Sequence, residues 1–292
     1  MRVVNDREQK AEVKETGAFS VIFYSFLVAI GVSTPILSPL PIIAAHARLG
    51  EPWPKIVSVV GALIAVCFLG EPFPAVVIGF VFGLVAADFV TRGKSVGRLF
   101  GATLTSSLGA ALLMLFVKAS QHQISVAEEW RNLVTTSVNA YEQVRAGWSM
   151  NMWLSPSDYE KFFLTQGPLL ILGFFALSLW LCLGFIAHLG WWKPEHPYSA
   201  VKLRELRIPA WFSIAFILSL VIGNEARGAQ FVLGILMVVQ GSVLLSNWFS
   251  RKHFATWSRA LIYSIGITFG LGVIAGLGVV APIFFKKIKQ EA

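Results

Sequence analysis

The chain has 292 residues, of which 55% are apolar and only 14% charged, with a formal net charge of +8 at neutral pH. A mean hydropathy of +0.68 and several uncharged runs of about 18 residues exclude an ordinary soluble domain. The basic excess falls in short clusters between those runs, where it reads as a membrane-orientation signal, so no nucleic-acid partner is expected.

Inside lipid only helices and closed barrels satisfy their own backbone, and runs that are continuous rather than alternating exclude a barrel. The expected fold is therefore all-α: a polytopic transmembrane helical bundle of about eight to nine membrane segments. Residues 1–16 form a tail carrying Arg2, Arg7, Lys10 and Lys14. No small-residue cleavage site follows the first apolar run, so that run is read as a span rather than a cleaved leader. Residues 17–118 hold the first half of the bundle, with spans at 17–35, 55–71, 73–91 and 97–118. Between the first two lies "SPLPIIAAHARLG", residues 38–50, too short to cross in the usual way and too apolar for a loop. Its prolines disfavour a regular helix at its start. Two readings stay open: a short tilted helix inside the bundle, or a broken helix lining a binding site. Either returns the chain to the side that carries Arg48, Lys55, Arg92, Lys94 and Arg98.

Residues 119–165 form the one long polar segment. Ile124, Trp130, Val134, Val138, Tyr141 and Trp148 recur at helical spacing with charges between them, the pattern of an amphipathic helix on the outer interface. "SPSD" at 155–158 then starts a second helix, with Ser155 as N-cap, Pro156 at the first position and Asp158 in the first turn. Residues 166–285 hold the second half, with spans at 167–190, 209–223, 229–250 and 258–280, and 286–292 is a basic tail. Basic loops at 191–208 and 251–259 fall on the same side as the N-terminus, which the charge rule makes cytoplasmic. The terminal Lys286, Lys287 and Lys289 break the count, by a re-entrant tail or as an exception.

Small residues at every fourth position let membrane helices approach closely. Such rows are Ser25–Ala29–Ser33, Gly79–Gly83–Ala87, Gly97–Gly101–Thr105–Gly109, and Gly266–Gly270 with Gly272–Gly276. Each is expected to pack inside the bundle or to dock a partner; for Gly101 and Gly109 the expectation is a close internal contact. Polar groups in membrane segments are the candidate ligand residues: Gln240 in mid-span, and Glu71, Asn224, Glu225 and Arg227 at span ends expected to face outward. Gln240 is equally explained by an interhelical hydrogen bond.

No catalytic constellation is visible, so the chain is expected not to be an enzyme, with no metal and no cofactor. "GLGVIA" and "GLGVVA" near the C-terminus fit a dinucleotide fingerprint but lack a surrounding strand. "GKS" at 93–95 lacks the first P-loop glycine, since residue 88 is Asp88. Cys67 and Cys182 lie in different apolar runs and read as small core residues.

The Pro-Leu-Pro start at 39–41, the aliphatic run and Arg48-x-Gly50 resemble the N-terminal signature of the YybS-like family of predicted bacterial membrane proteins, a domain of unknown function. "LRIPAWF" at 206–212 resembles that family's Leu-x-x-Pro-x-Trp pattern, and "LGILMVVQGSVLLSNWFSRK" resembles its Gln-Gly helix with a basic end. The amphipathic segment before a Pro-preceded span agrees as well. "LGVVAPIFFKK" departs from the family's more polar ending, which leaves the path of the tail open. The family is distantly similar to the S components of energy-coupling-factor transporters. That similarity implies a bacterial inner-membrane protein of transporter-like fold that binds a small molecule for uptake and docks a T-component-like membrane partner, with Ser25–Ala29–Ser33 fitting the docking role by analogy. The alternative is a non-transporting scaffold or regulator that recruits partners.

Overall fold

The structure, a computed structural model, describes residues 17–34, 37–148, 155–188, 196–252 and 271–290. Among them every regular element is helical. Among the described residues four helices are long and apolar enough to cross a membrane: Phe73–Thr91, Val96–His122, Pro156–Ala187 and Arg227–Phe249. Shorter apolar helices cover Ala18–Ser33, Trp53–Cys67 and Ala210–Ile222, and the last described helix carries an apolar stretch over Gly272–Pro282. The chain divides into two compact units, Met1–Ser107 and Leu108–Ala292.

The first unit is built from α1 (Ala18–Ser33), α2 (Pro39–Arg48), α3 (Trp53–Cys67) and α4 (Phe73–Thr91). The proline-rich stretch is a regular helix, because its prolines sit at the first turn, where no intrahelical donor is needed. With ten residues it rises about 15 Å, half the hydrocarbon thickness of about 30 Å. It is sunk in the unit: Pro39, Pro41, Ile42, Ile43, Ala44 and Ala45 are all buried. Pro41 fills the notch at Gly31 of α1, and Ile42 fills the notch at Gly83 of α4. This is the short packed helix of the two open readings.

α1 and α3 meet equally closely. A Cβ placed on Gly61 would lie 2.6 Å from Val28 Cγ1 and 2.8 Å from the Ser25 carbonyl oxygen. The hydroxyls on these faces bond within their own helices, Ser25 to the Val21 carbonyl at 2.9 Å and Ser58 to the Pro54 carbonyl at 2.7 Å. They therefore present small, satisfied surfaces that van der Waals contact can join where lipid supplies no hydrophobic drive.

α5 (Val96–His122) follows, and the second unit continues with α6 (Val126–Trp148), α7 (Pro156–His188), α8 (Ala200–Arg204), α9 (Ala210–Ile222), α10 (Arg227–Arg251) and α11 (Leu271–Gln290). α6 starts in a reciprocal cap: Glu128 accepts from the Ser125 amide and hydroxyl, and Ser125 Oγ accepts from the Glu128 amide. At α7, Ser155 Oγ accepts from the Asp158 amide and donates to its carboxylate, and Pro156 is the first helical residue. The apolar face of α6 lies on α7. Trp130 covers Gly167, and Tyr141, Tyr159 and Phe163 stack at 4.3 and 4.4 Å. The side chain of Trp148 lies outside the described residues.

α10 and α11 make the tightest helix pair. A Cβ on Gly278 would meet the Met237 carbonyl oxygen, and one on Gly241 would meet that of Ile274. Only glycine permits this backbone approach. α11 runs as one helix through Pro282, so no re-entrant turn occurs within 271–290; residues 258–270 lie outside the described residues.

Candidate functional site

The most organised polar feature is one face of α10. Gln240 is only 1% exposed, and its Oε1 accepts a hydrogen bond from the Ile208 amide at 2.9 Å. Two helical turns on, along the same face, Asn247 Nδ2 donates to the Arg204 carbonyl at 2.9 Å. Beside it Ser246 Oγ accepts from Arg204 Nε at 3.1 Å. α10 thus clasps the linker that joins α8 to α9. The linker backbone has no helix of its own to satisfy it, so side chains from α10 supply the missing partners. Gln240 Nε2 is buried and has no partner among the described residues. An unmatched amide donor of that kind costs about 1–3 kcal/mol.

Of the other sequence-derived ligand residues, Arg227 does not join it. Arg227 opens α10, and the rise from there to Gln240 is about 20 Å. Asn224 and Glu225 lie in a 3₁₀ turn, Gly223–Ala226, with side chains outside the described residues. Glu71 is in the α3–α4 turn of the first unit, where its amide donates to the Ala65 carbonyl. Within the second unit, Gln240 and Arg227 therefore occupy different levels. The polar residue that shapes the Arg227 level is Gln230. Its Nε2 donates to the Ser219 and Gly223 carbonyls, each at 2.7 Å. It closes the end of α9 where Gly223, at φ +78°, turns the chain in a conformation that side chains resist. The sequence holds one clue to the α10 clasp, the seven-residue spacing of Gln240 and Asn247.

The small-residue rows divide sharply. Ser25 and Ala29 are buried in the first unit and Ser33 is half-buried. Gly79, Gly83 and Ala87 are buried too. The α5 row is the reverse. A Cβ on Gly97, Gly101 or Gly109 would meet nothing within 4 Å, and Thr105 is exposed. The expected close internal contact at Gly101 and Gly109 is thus corrected. The buried face of α5 is Leu99, Thr103 and Ser107, displaced around the helix from the glycines. Gly272 and Gly276 of α11 are likewise open, and Gly278 makes the contact instead. Gly266 and Gly270 lie outside the described residues.

Charged groups gather at helix ends. In the first unit, His46 lies within electrostatic reach of Glu51, Lys55 and Asp88. Lys55 pairs with Glu51 at 3.4 Å and Arg92 with Asp88 at 2.8 Å. The turns after α2 and after α4 therefore share one end. In the second unit the buried Glu129 carboxylate takes His122 Nδ1 at 3.0 Å. Among the described residues no three His, Cys, Asp or Glu side chains converge as a metal site would require. Cys182 is buried, whereas Cys67 is exposed, which corrects its reading as a core residue, and neither forms a disulfide.

A family model described as "Predicted membrane protein (DUF2232)" matches residues 18–280, in agreement with the YybS-like resemblance. No curated protein and no solved structure matches the chain.

Proposed function

We propose, for a chain that belongs to the DUF2232 family of predicted membrane proteins, that it is a multi-pass membrane assembly component that docks a partner transmembrane helix on α5. The observation that carries this reading is the bare row Gly97–Gly101–Thr105–Gly109. Only 11% of the apolar window of α5 is buried, against 39%, 56% and 39% in the other three long helices. A small-residue row gives a second helix close backbone approach. The surface beyond it, at Leu112, Leu113 and Phe116, is exposed and apolar, so the occupant is a helix with small residues of its own, seated within the hydrocarbon. The chain acts here as a scaffold and not as an enzyme. The basic turns at 48–55 and 91–98 support a cytoplasmic side for that end and for the N-terminus, in a bacterial inner membrane. The two halves of the bundle then contribute about eight to nine membrane segments, and α6 lies on the outer side.

A photo-crosslinking side chain at Thr105, activated in native membranes, tests this. The expected product is an adduct with a second membrane protein that Gly101→Leu abolishes while folded yield is kept. Adducts with lipid alone would sink the reading, and an adduct with a second copy of the chain would make the scaffold a self-assembling one.

A second reading, an S-component-like binder of a small molecule for uptake, is favoured by one observation: the buried Gln240 Nε2 without a partner. A ligand carbonyl or carboxylate would match that donor. Mass spectrometry of small molecules co-purified in mild detergent separates the two readings, because the scaffold requires none.

A further inference from the structure

Where α10 ends, geometry and charge converge on one guanidinium. Ser199 caps α8 by accepting from the Lys202 amide at 3.3 Å, and buried Leu203 anchors the helix. Arg204, the last residue of α8, is half-buried and held twice. Its carbonyl accepts from Asn247 Nδ2, and its Nε donates to Ser246 Oγ. Those bonds leave the outer edge of the guanidinium, Nη1 and Nη2, with no carboxylate at ion-pair distance among the described residues. Glu205 is next in sequence, but Lys202 Nζ engages it at 3.0 Å. Within the described residues 196–209 and 246–252, Glu205 is the only carboxylate, whereas Lys202, Arg204, Arg207, Arg251 and Lys252 are all cationic. An oriented guanidinium with two parallel donors and no carboxylate partner among the described residues is suited to a pair of anionic oxygens.

The depth of the group selects the anion. α10 ends at Arg251, with Lys252 next, so Ser246 and its Arg204 partner lie within about a turn and a half of the charged end of the helix. Trp248 is exposed there, and Trp211 is exposed at the start of α9, which the clasped linker ties to the same end. Indoles favour the headgroup level of a bilayer, which is where phosphodiesters lie. We infer that Arg204, oriented by Ser246 and Asn247, is a receptor for phosphate oxygens, and that its occupant is the phosphodiester of an anionic phospholipid. The surrounding cations favour an anionic headgroup over a zwitterionic one. The inference is independent of the α5 docking reading, since it concerns other residues and another ligand.

The test is native mass spectrometry of the full chain in detergent, titrated with phosphatidylglycerol, phosphatidylcholine or inorganic phosphate. One phosphatidylglycerol is expected to bind ahead of phosphatidylcholine. Arg204→Gln is expected to weaken it about fivefold, the effect of one basic residue near an anionic surface. Arg204→Lys, which keeps the charge but not the fork, is expected to fall between. Thermal unfolding without lipid checks that each variant is folded. Should Arg204→Gln fail to fold, Ser246→Ala releases Nε while keeping the charge and is expected to weaken binding in the same direction. Equal phosphatidylglycerol affinity in the wild type and a folded Arg204 or Ser246 variant would overturn the site. Inorganic phosphate binding as tightly as phosphatidylglycerol would overturn the lipid assignment and leave a free phosphate ester as the ligand.

Discussion

Two rows of small residues, one on α1 and one on α5, share the same four-residue spacing and have opposite surroundings. On α1, Ser25 and Ala29 are buried, and Val28 and the Ser25 carbonyl close on the notch at Gly61 of α3. On α5, a side chain added at Gly97, Gly101 or Gly109 would meet nothing within 4 Å. Spacing makes a helix face approachable, but it does not supply the neighbour. α11 repeats the contrast within a single helix, because Gly278 touches the Met237 backbone while Gly272 and Gly276 stand open.

The α11 pair gives the strongest way to break this comparison. Gly278→Leu forces a side chain into the backbone of α10, and a loss of about 3 kcal/mol, the upper end of ordinary overpacking, is expected. Gly276→Leu is expected to leave stability within about 0.5 kcal/mol, as surface substitutions do. Thermal unfolding in detergent measures both, and equal losses would mean that Gly276 is covered too.

A smaller effect is expected across the two rows themselves. Gly61→Leu meets the flexible end of Val28 as well as the Ser25 carbonyl, so the neighbour can give in part, and about 1–3 kcal/mol should be lost. Gly101→Leu should leave the isolated protein unchanged, since leucine is also the better helix former. A loss of folded yield in Gly101→Leu matching that of Gly61→Leu would return the α5 row to the interior.

Gln240→Leu sharpens the contrast between clasp and ligand group with a smaller effect. It strands the Ile208 amide but also removes the unmatched Nε2, so the two changes oppose each other. Less than about 2 kcal/mol should be lost. Faster hydrogen exchange confined to residues 205–210 marks the clasp. An unchanged exchange rate there would show that Gln240 does not hold the linker.

Much of the fold was legible because local chemistry set it. The caps at Ser155 and Pro156, the apolar face through Trp130, Val134 and Val138, and the long spans all follow from periodicity and turn chemistry within a few residues. The Ser125–Glu128 box was equally readable, as a serine followed three positions later by a glutamate. The α10 clasp was only half readable: spacing put Gln240 and Asn247 on one face, but nothing local says that this face meets the 204–208 backbone. Span-end polarity likewise carries no information on which polar residues share a level.

The sequence by itself determined that this chain lives in a membrane as helices, because about 18 uncharged apolar residues leave no other way to satisfy a backbone in lipid. It also determined where the helices start, because caps and prolines act over three or four residues. Only the tertiary structure decided that the proline-rich stretch is a buried wedge between α1 and α4, that Gln240 holds a linker, and that the α5 glycines face outward. Those outcomes depend on contacts between residues far apart in the chain, and in an apolar solvent such contacts are selected by shape, which a hydropathy pattern does not encode.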